Sequence, residues 1–343
     1  MRATPRCCRQ EPPIRICRRA ARRRSGCAGS GLDGPAPTTS APSPVDGMTP
    51  AAVGIDVGGT KIAGAVVDED GAIRSAETVA TPTQEGDQSA PEALALIDRL
   101  ARRAAEGGRA VEQAGVGVPE YVTPHGRISS ALVLPSLQAL PATSGSGLPI
   151  LIDSDVRCAA RAEARLGHGL TLASFLFVII GTGISSTLVI DGRLWPGHRG
   201  EAIALGELPA DPALALHPGG PLTVEEQASG RAINDAVEAA DASDDQRKAA
   251  SHRAAIETRA GQIVATALTC AVQLLDPAAV IVGGGLGSSK GDFSQSLSRH
   301  YGELIRGRPQ PPPLVQAHLG PQAGVIGAGL LALEGKEPGR LSR

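Results

Sequence analysis

The run Val53-Gly54-Ile55-Asp56-Val57-Gly58-Gly59-Thr60-Lys61 constrains this chain most, because it couples a strand to a phosphate-sized turn. Val53, Ile55 and Val57 alternate as strand residues do. Gly58-Gly59 lets the backbone bring its N–H groups close to an anion. A second strand is predicted over residues 61–67, then a turn at Asp68-Glu69-Asp70-Gly71 and a third strand. A strand–glycine–strand hairpin carrying Asp56 and Thr60 suits a nucleotide phosphate and its Mg2+, although an ordinary hairpin with an outward Asp reads the same way. It is not a Walker loop, which runs Gly-x-x-x-x-Gly-Lys-Ser/Thr into a helix.

Two further glycine turns follow in order. The apolar run 175–180 leads into Gly181-Thr182-Gly183, and a strand over 185–190 turns at Asp191-Gly192. Ala279-Val280-Ile281-Val282 leads into Gly283-Gly284-Gly285. Ser186 and Ser288 stand where the dinucleotide pattern Gly-x-Gly-x-x-Gly needs its last glycine, so a Rossmann reading fails. One such turn is punctuation. Three of them, each closing a buried-type strand, suit one nucleotide gripped from two sides.

With these motifs the chain resembles the ROK family (repressors, open reading frames and sugar kinases) of the actin and hexokinase superfamily. The resemblance covers residues 48–334. It rests on the Asp56–Lys61 loop, Gly117-Val118-Pro119, Leu151-Ile152-Asp153-Ser154-Asp155, Gly181-Thr182-Gly183-Ile184, Gly206-Glu207, Ala228-Ser229-Gly230-Arg231-Ala232-Ile233, Gly283-Gly284-Gly285 and Gly324-Val325-Ile326-Gly327-Ala328. It implies an α/β fold of two actin-like ATPase (ribonuclease H-like) domains with a nucleotide and sugar cleft between them. The implied activity is ATP-dependent phosphorylation of a hexose, most often glucose; the other implied role is sugar-sensing repression.

Composition narrows these roles. At 343 residues the chain can bury two cores, and with 42% hydrophobic but 2% aromatic content those cores are built from Ala, Val, Leu and Ile. No apolar run reaches the ~20 residues of a membrane span. Residues 1–47 hold nine arginines against three acids, leaving 24 basic and 32 acidic residues in the remainder. An acidic body is expected to repel nucleic acid. The first 47 residues show no helical or strand period and no apolar stretch of a signal sequence. They supply none of the roughly three amphipathic helices of a DNA-binding module. The expected start of the protein is Met48, with a disordered tail as the alternative.

The expected domains are residues 48–153, completed by a C-terminal helix over 322–335, and residues 154–321, with a flexible tail at 336–343. Helices are predicted over 91–105, 155–166, 223–240, 247–275 and 324–333; Asp276-Pro277 ends the fourth. Strands are predicted over 114–118 and across the hairpin 175–190. Cys158 and Cys270 fall in helical patterns as buried small residues, which suits a reducing cytoplasm.

Asp155 is the candidate catalytic residue. Phosphoryl transfer needs a hydroxyl held in line, its proton accepted and the moving charge neutralised, and a carboxylate at a strand mouth can take that proton. An Asp in that place also makes a good helix N-cap. The resemblance implies the general base, since the family's catalytic Asp stands here, usually after Glu-Asn rather than Asp153-Ser154. It further implies that Asp56 holds Mg2+ through water. ATP would meet Gly58, Gly59, Thr60 and Lys61 on one side and Gly181, Thr182 and Gly183 on the other, with Gly283, Gly284 and Gly285 beneath adenine and ribose. Glu207 and Glu225, with Asp155, would bind the sugar, and a homodimer is the expected assembly.

The departures are equally specific. The family's zinc histidine follows Gly-Glu, but Gly206-Glu207-Leu208 continues into Pro209-Ala210, and the three cysteine positions hold Leu216, Pro218 and Thr223. No structural zinc is expected. The asparagine that grips a sugar hydroxyl in the family falls near Val133. His217 reads as a lone loop side chain.

Overall fold

The computed structural model describes residues 49–83, 86–210, 223–241 and 249–335. The expected tails at 1–47 and 336–343, and positions 216–218, lie outside the described residues.

The chain builds the same five-stranded plan twice. In the first sheet the strands β1 (Thr49–Val57), β2 (Lys61–Asp68) and β3 (Ile73–Ala80) form an antiparallel meander, and β4 (Arg109–Val118) and β5 (Ile150–Ser154) add in parallel on the other side of β1. The helix α1 (Ser89–Glu106) links β3 to β4. The helix α2 (Asp155–Leu166) leads from β5 to the second sheet. There β6 (Ser174–Ile180), β7 (Ile184–Ile190) and β8 (Arg193–Trp195) repeat the meander. Three helices follow: α3 (Val224–Ala228), α4 (Gly230–Asp241) and α5 (Ala249–Leu275). Strand β9 (Val280–Gly283), helix α6 (Asp292–Leu304) and strand β10 (Leu314–Gln316) complete the second sheet in parallel. Helix α7 (Ala323–Glu334) closes the described chain. All described residues fall in one compact unit.

Each sheet is covered according to its side-chain pattern. Leu96, Ile97 and Leu100 recur at helical spacing on α1 and pack on Val53, Ile55 and Val116. Val264 and Leu268 of α5 and Phe293 of α6 cover Val178, Ile180 and Val282. Between the sheets, α2 and α7 bring Val156, Ala160, Ile326 and Leu330 against Val67 of the first sheet and Phe175 and Phe177 of the second. Complete burial of a side chain of this size contributes roughly 1.5–3 kcal/mol.

Helix α7 is apolar throughout and approaches the first sheet at backbone distance, which glycine permits. A Cβ on Gly54 of β1 would lie 2.6 Å from the Gly329 nitrogen, and one on Gly115 of β4 would lie 2.8 Å from the Ala328 carbonyl carbon. The terminal helix thus packs on the first sheet.

Three expectations change. The single helix over 223–240 is two helices, because Ser229 is extended (φ −70°, ψ 161°) and turns α4 away from α3. Thr223 caps α3 in a capping box with Glu226, and Ser229 Oγ accepts from the Ala232 N–H at 3.2 Å to start α4. Strand β4 begins at Arg109 rather than 114, since pairing with Thr49 extends it past the apolar core. Cys270 is exposed, whereas Cys158 is buried as expected. No described helix is long and apolar enough to cross a membrane.

Candidate active site

The floor of the cleft is made by strand ends. Asp56 closes β1 opposite Ala63 of β2 and Gly117 of β4. The hairpin after it is fastened at both sides: the Gly58 N–H donates to the Lys61 carbonyl (2.9 Å), and the Thr81 hydroxyl donates to the Gly58 carbonyl (2.6 Å). Across the cleft the Gly181 N–H donates to the Gly183 carbonyl (2.9 Å), and the Gly230 N–H donates to the Gly181 carbonyl (2.7 Å). That last bond explains the break between α3 and α4. A Cβ at Gly230 would lie 2.7 Å from the Gly181 oxygen, so glycine at the start of α4 lets it seat on the turn.

These elements enclose a cavity of about 320 Å3. Asp56, Gly58, Gly59, Thr60 and Lys61 line one wall, and Gly181, Thr182 and Gly183 the other. The N–H groups of Gly58 and Gly181 close their own turns, and Gly59, Thr60, Thr182 and Gly183 line the cavity beside them. At the third glycine turn, Gly284 (φ +83°) packs on the Ile180 backbone, whose carbonyl accepts from Leu286 and Gly287.

A second cavity, of about 470 Å3, adjoins the first. Asp155 and Glu225 line both, and Glu207 lines only the second. Asp155 is the first residue of α2, and Ser154 takes the N-cap position without a side-chain cap bond. Its Oδ1 accepts from the Val156 N–H at 2.6 Å. Glu225 Oε2 accepts from the Ile184 N–H at 2.7 Å, and its Oε1 lies 3.7 Å from Arg231.

Two residues of this second cavity were not legible in the sequence, Glu120 and Tyr121, and Arg231, from the motif at 228–233, joins them. Glu120 is buried and accepts from the N–H groups of Leu132 (2.9 Å), Val133 (2.7 Å) and Leu134 (2.8 Å), and from the Ser130 hydroxyl. It therefore shapes the loop that carries Val133 into both cavities. Its partners lie 10 to 14 residues away in a segment without periodicity, so no spacing rule announces them. Tyr121 donates its hydroxyl to Glu207, joining a loop of the first sheet to one of the second.

The electrostatics follow from this crowding. Burial, partly offset by Lys61, pushes Asp56 up to about 6. Burial and the neighbouring Asp56 push Asp155 up to about 7, against the Val156 N–H and Arg157. Burial and the bond to Glu207 raise the Tyr121 phenol. At Glu120 burial acts to raise the pKa, but the hydrogen bonds from Ser130 and the three backbone N–H groups outweigh it and hold the carboxyl below its ordinary value.

Three carboxylates lining one cavity, Asp56, Asp155 and Glu225, beside a threonine, a lysine and a glycine-walled turn, form a hard-oxygen environment that fits a Mg2+ arriving with nucleotide phosphates. Asp56 also lies against Gly324 in the first turn of α7, where any side chain would strike its carboxylate and where the helix N-terminus favours negative charge. Among the described residues no group of three or more His, Cys, Asp or Glu could hold a metal ion by side chains alone.

Twin five-stranded sheets about such a cleft define the actin-like ATPase fold. The chain belongs to the ROK family, whose model matches residues 52–335. It is 30% identical over 317 residues to a glucokinase of Streptomyces coelicolor (82% of this chain, 97% of that protein). It is 32% identical over 304 residues to an N-acetylmannosamine kinase of Citrobacter koseri (81% and 97%). Its structure is similar to that of a ROK glucokinase from Streptomyces griseus in complex with glucose and AMPPNP, at TM-score 0.68 and 27% identity, covering 83% of this chain and 99% of that one.

Proposed function

We propose that this protein is an ATP-dependent hexose kinase of glucokinase type with Asp155 as general base. The observation that carries the reading is that Asp155 lines both cavities, so its carboxylate can meet a sugar hydroxyl in one and a terminal phosphate in the other. Gly58, Gly59, Thr60, Lys61, Gly181, Thr182 and Gly183 would grip the phosphates, Gly283, Gly284 and Gly285 would lie beneath adenine and ribose, and Asp56 would orient Mg2+ through water. The metal, when bound, neutralises charge on the phosphoryl group. Asp155 accepts the hydroxyl proton as the sugar oxygen bonds to the terminal phosphorus; the bridging P–O bond breaks and ADP leaves with its electron pair. Glu207 and Glu225 would hold other sugar hydroxyls. The supports are the 30% identical glucokinase, the 32% identical N-acetylmannosamine kinase and the glucose- and AMPPNP-bound neighbour. A cytoplasmic homodimer that binds neither nucleic acid nor membrane completes the proposal.

The second reading is a catalytically weakened sugar-binding or regulatory protein. It is favoured by Val133, which stands where the family's sugar-gripping asparagine is expected and is 51% exposed at the cavity. A hydrogen bond to a charged group contributes about 1.5–3 kcal/mol. Loss of ligands therefore predicts millimolar or weaker hexose affinity, roughly tenfold or more per lost bond. Steady-state release of ADP with ATP, Mg2+ and glucose, mannose, fructose or N-acetylated hexosamines separates the two readings. Turnover with a millimolar KM supports the kinase; binding without turnover on any sugar supports the second reading.

A further inference from the structure

Two residues beyond Asp155 lies Arg157, whose side chain is completely buried although it is charged. A buried guanidinium is costly unless every donor finds a partner. Here Nε pairs with Asp153 at the end of β5, Nη1 donates to the Gly200 carbonyl at 3.0 Å, and Nη2 donates to the Val122 carbonyl at 2.6 Å. The two carbonyls belong to different halves of the molecule. Val122 follows Tyr121 in the loop after β4, and Gly200 precedes Glu207 in the loop after β8. The loops touch directly: Gly200 has φ +93°, and a Cβ there would lie 2.8 Å from the Thr123 Cα. Tyr121 and Glu207 then meet at the wall of the larger cavity.

We propose that Arg157 is a positioning residue for the sugar-side cavity. Its planar fork holds both carbonyls at once and so fixes how far Tyr121 stands from Glu207, and how both stand relative to Asp155 on the same helix. Arg157 does not line either cavity, so it acts only through these loops. Lysine can keep the charge beside Asp153, but a single ammonium on a flexible stem cannot reproduce the rigid fork. The proposal rests on the kinase reading for its kinetic consequence and not for its structural one.

The test uses the full chain with R157K and R157Q. Hydrogen exchange of the ligand-free proteins reads the clamp itself: amides of residues 121–123 and 199–203 should exchange faster in R157K while those of β1 and β6 stay protected. Kinetics read its consequence: the KM for the hexose should rise about tenfold or more while the KM for ATP stays within about twofold, since only the sugar side loses its geometry. Should R157Q fail to fold because Asp153 is left charged, R157K decides. Should R157K fail as well, D153N/R157Q removes both charges and is read in the same two ways. Unchanged exchange in the two loops overturns the proposal. Faster exchange with an unchanged hexose KM also overturns it, because the arginine is then merely structural. A wild-type protein that turns over no sugar refutes the kinase reading instead, and the exchange result, with hexose affinity measured by calorimetry, still decides whether Arg157 sets the cavity.

Discussion

Asp56 and Asp155 share one cavity, and the charge of Asp56 helps to raise the pKa of Asp155. One residue closes β1 of the first sheet and the other opens the helix leaving β5, so two strand ends of the same sheet put like charges together at the place where a cationic metal and a phosphate would meet. Like charges brought together disfavour ionisation of both. A cation bound between them would reverse that effect.

Replacing Asp155 with Asn keeps the side-chain shape and removes the proton acceptor. Turnover should fall by ~10²-fold or more. Folding should persist, because Asn keeps an oxygen that can accept from the Val156 N–H, as Asp155 Oδ1 does at 2.6 Å. Steady-state kinetics and a thermal melt check the two halves; near-normal turnover removes Asp155 from the mechanism.

The pH profile has a defined sign. The base works only when unprotonated, so kcat/KM should rise with pH and level off above about 7, the value of Asp155 in the free protein. A kcat/KM that is flat with pH across this range contradicts the assignment.

The same two carboxylates act on stability. Both are raised above the unfolded value of 3.8, so the folded protein binds extra protons between about pH 4 and 7 and loses stability as pH rises through that window. Ligand-free D56N should therefore melt higher than wild type at pH 8, by a few degrees, with the gap closing near pH 4. A gap that widens on acidification refutes this account of burial and like charge.

Glu120 has the opposite sign. Its folded pKa is held low by Ser130 and three backbone N–H groups, so its contribution is present above its unfolded value of 4.5 and is lost as pH falls through the lowered folded pKa. E120Q offers one amide oxygen in place of two carboxylate oxygens, and amides 132–134 should exchange faster. Hydrogen exchange resolved to that loop is the check, with protection of α1 as the internal reference.

Gly230→Ala should damage the nucleotide side alone. The new Cβ would lie 2.7 Å from the Gly181 oxygen, so the turn at 181–183 or the start of α4 must shift. The KM for ATP should rise by roughly tenfold with less effect on the hexose. Equal change in both constants would place the strain elsewhere.

The sequence by itself determined most of the elements and the glycine turns that line the smaller cavity. Alternating apolar residues before Gly58, Gly181 and Gly283 encode strands and turns through local sterics and burial period alone. Asp155 to Leu166 reads as the helix it is, and the order of motifs was enough to imply the family. Contacts between distant segments required the tertiary structure. Whether Gly283–Gly285 face the cavity depends on how that turn packs on Ile180, and the break at Ser229 on Gly230 reaching Gly181. Glu120, Tyr121 and Arg157 earn their roles from loops that meet only after both sheets have formed. Their partners are largely backbone carbonyls and N–H groups, which every residue carries, so no side-chain pattern in the sequence can mark them.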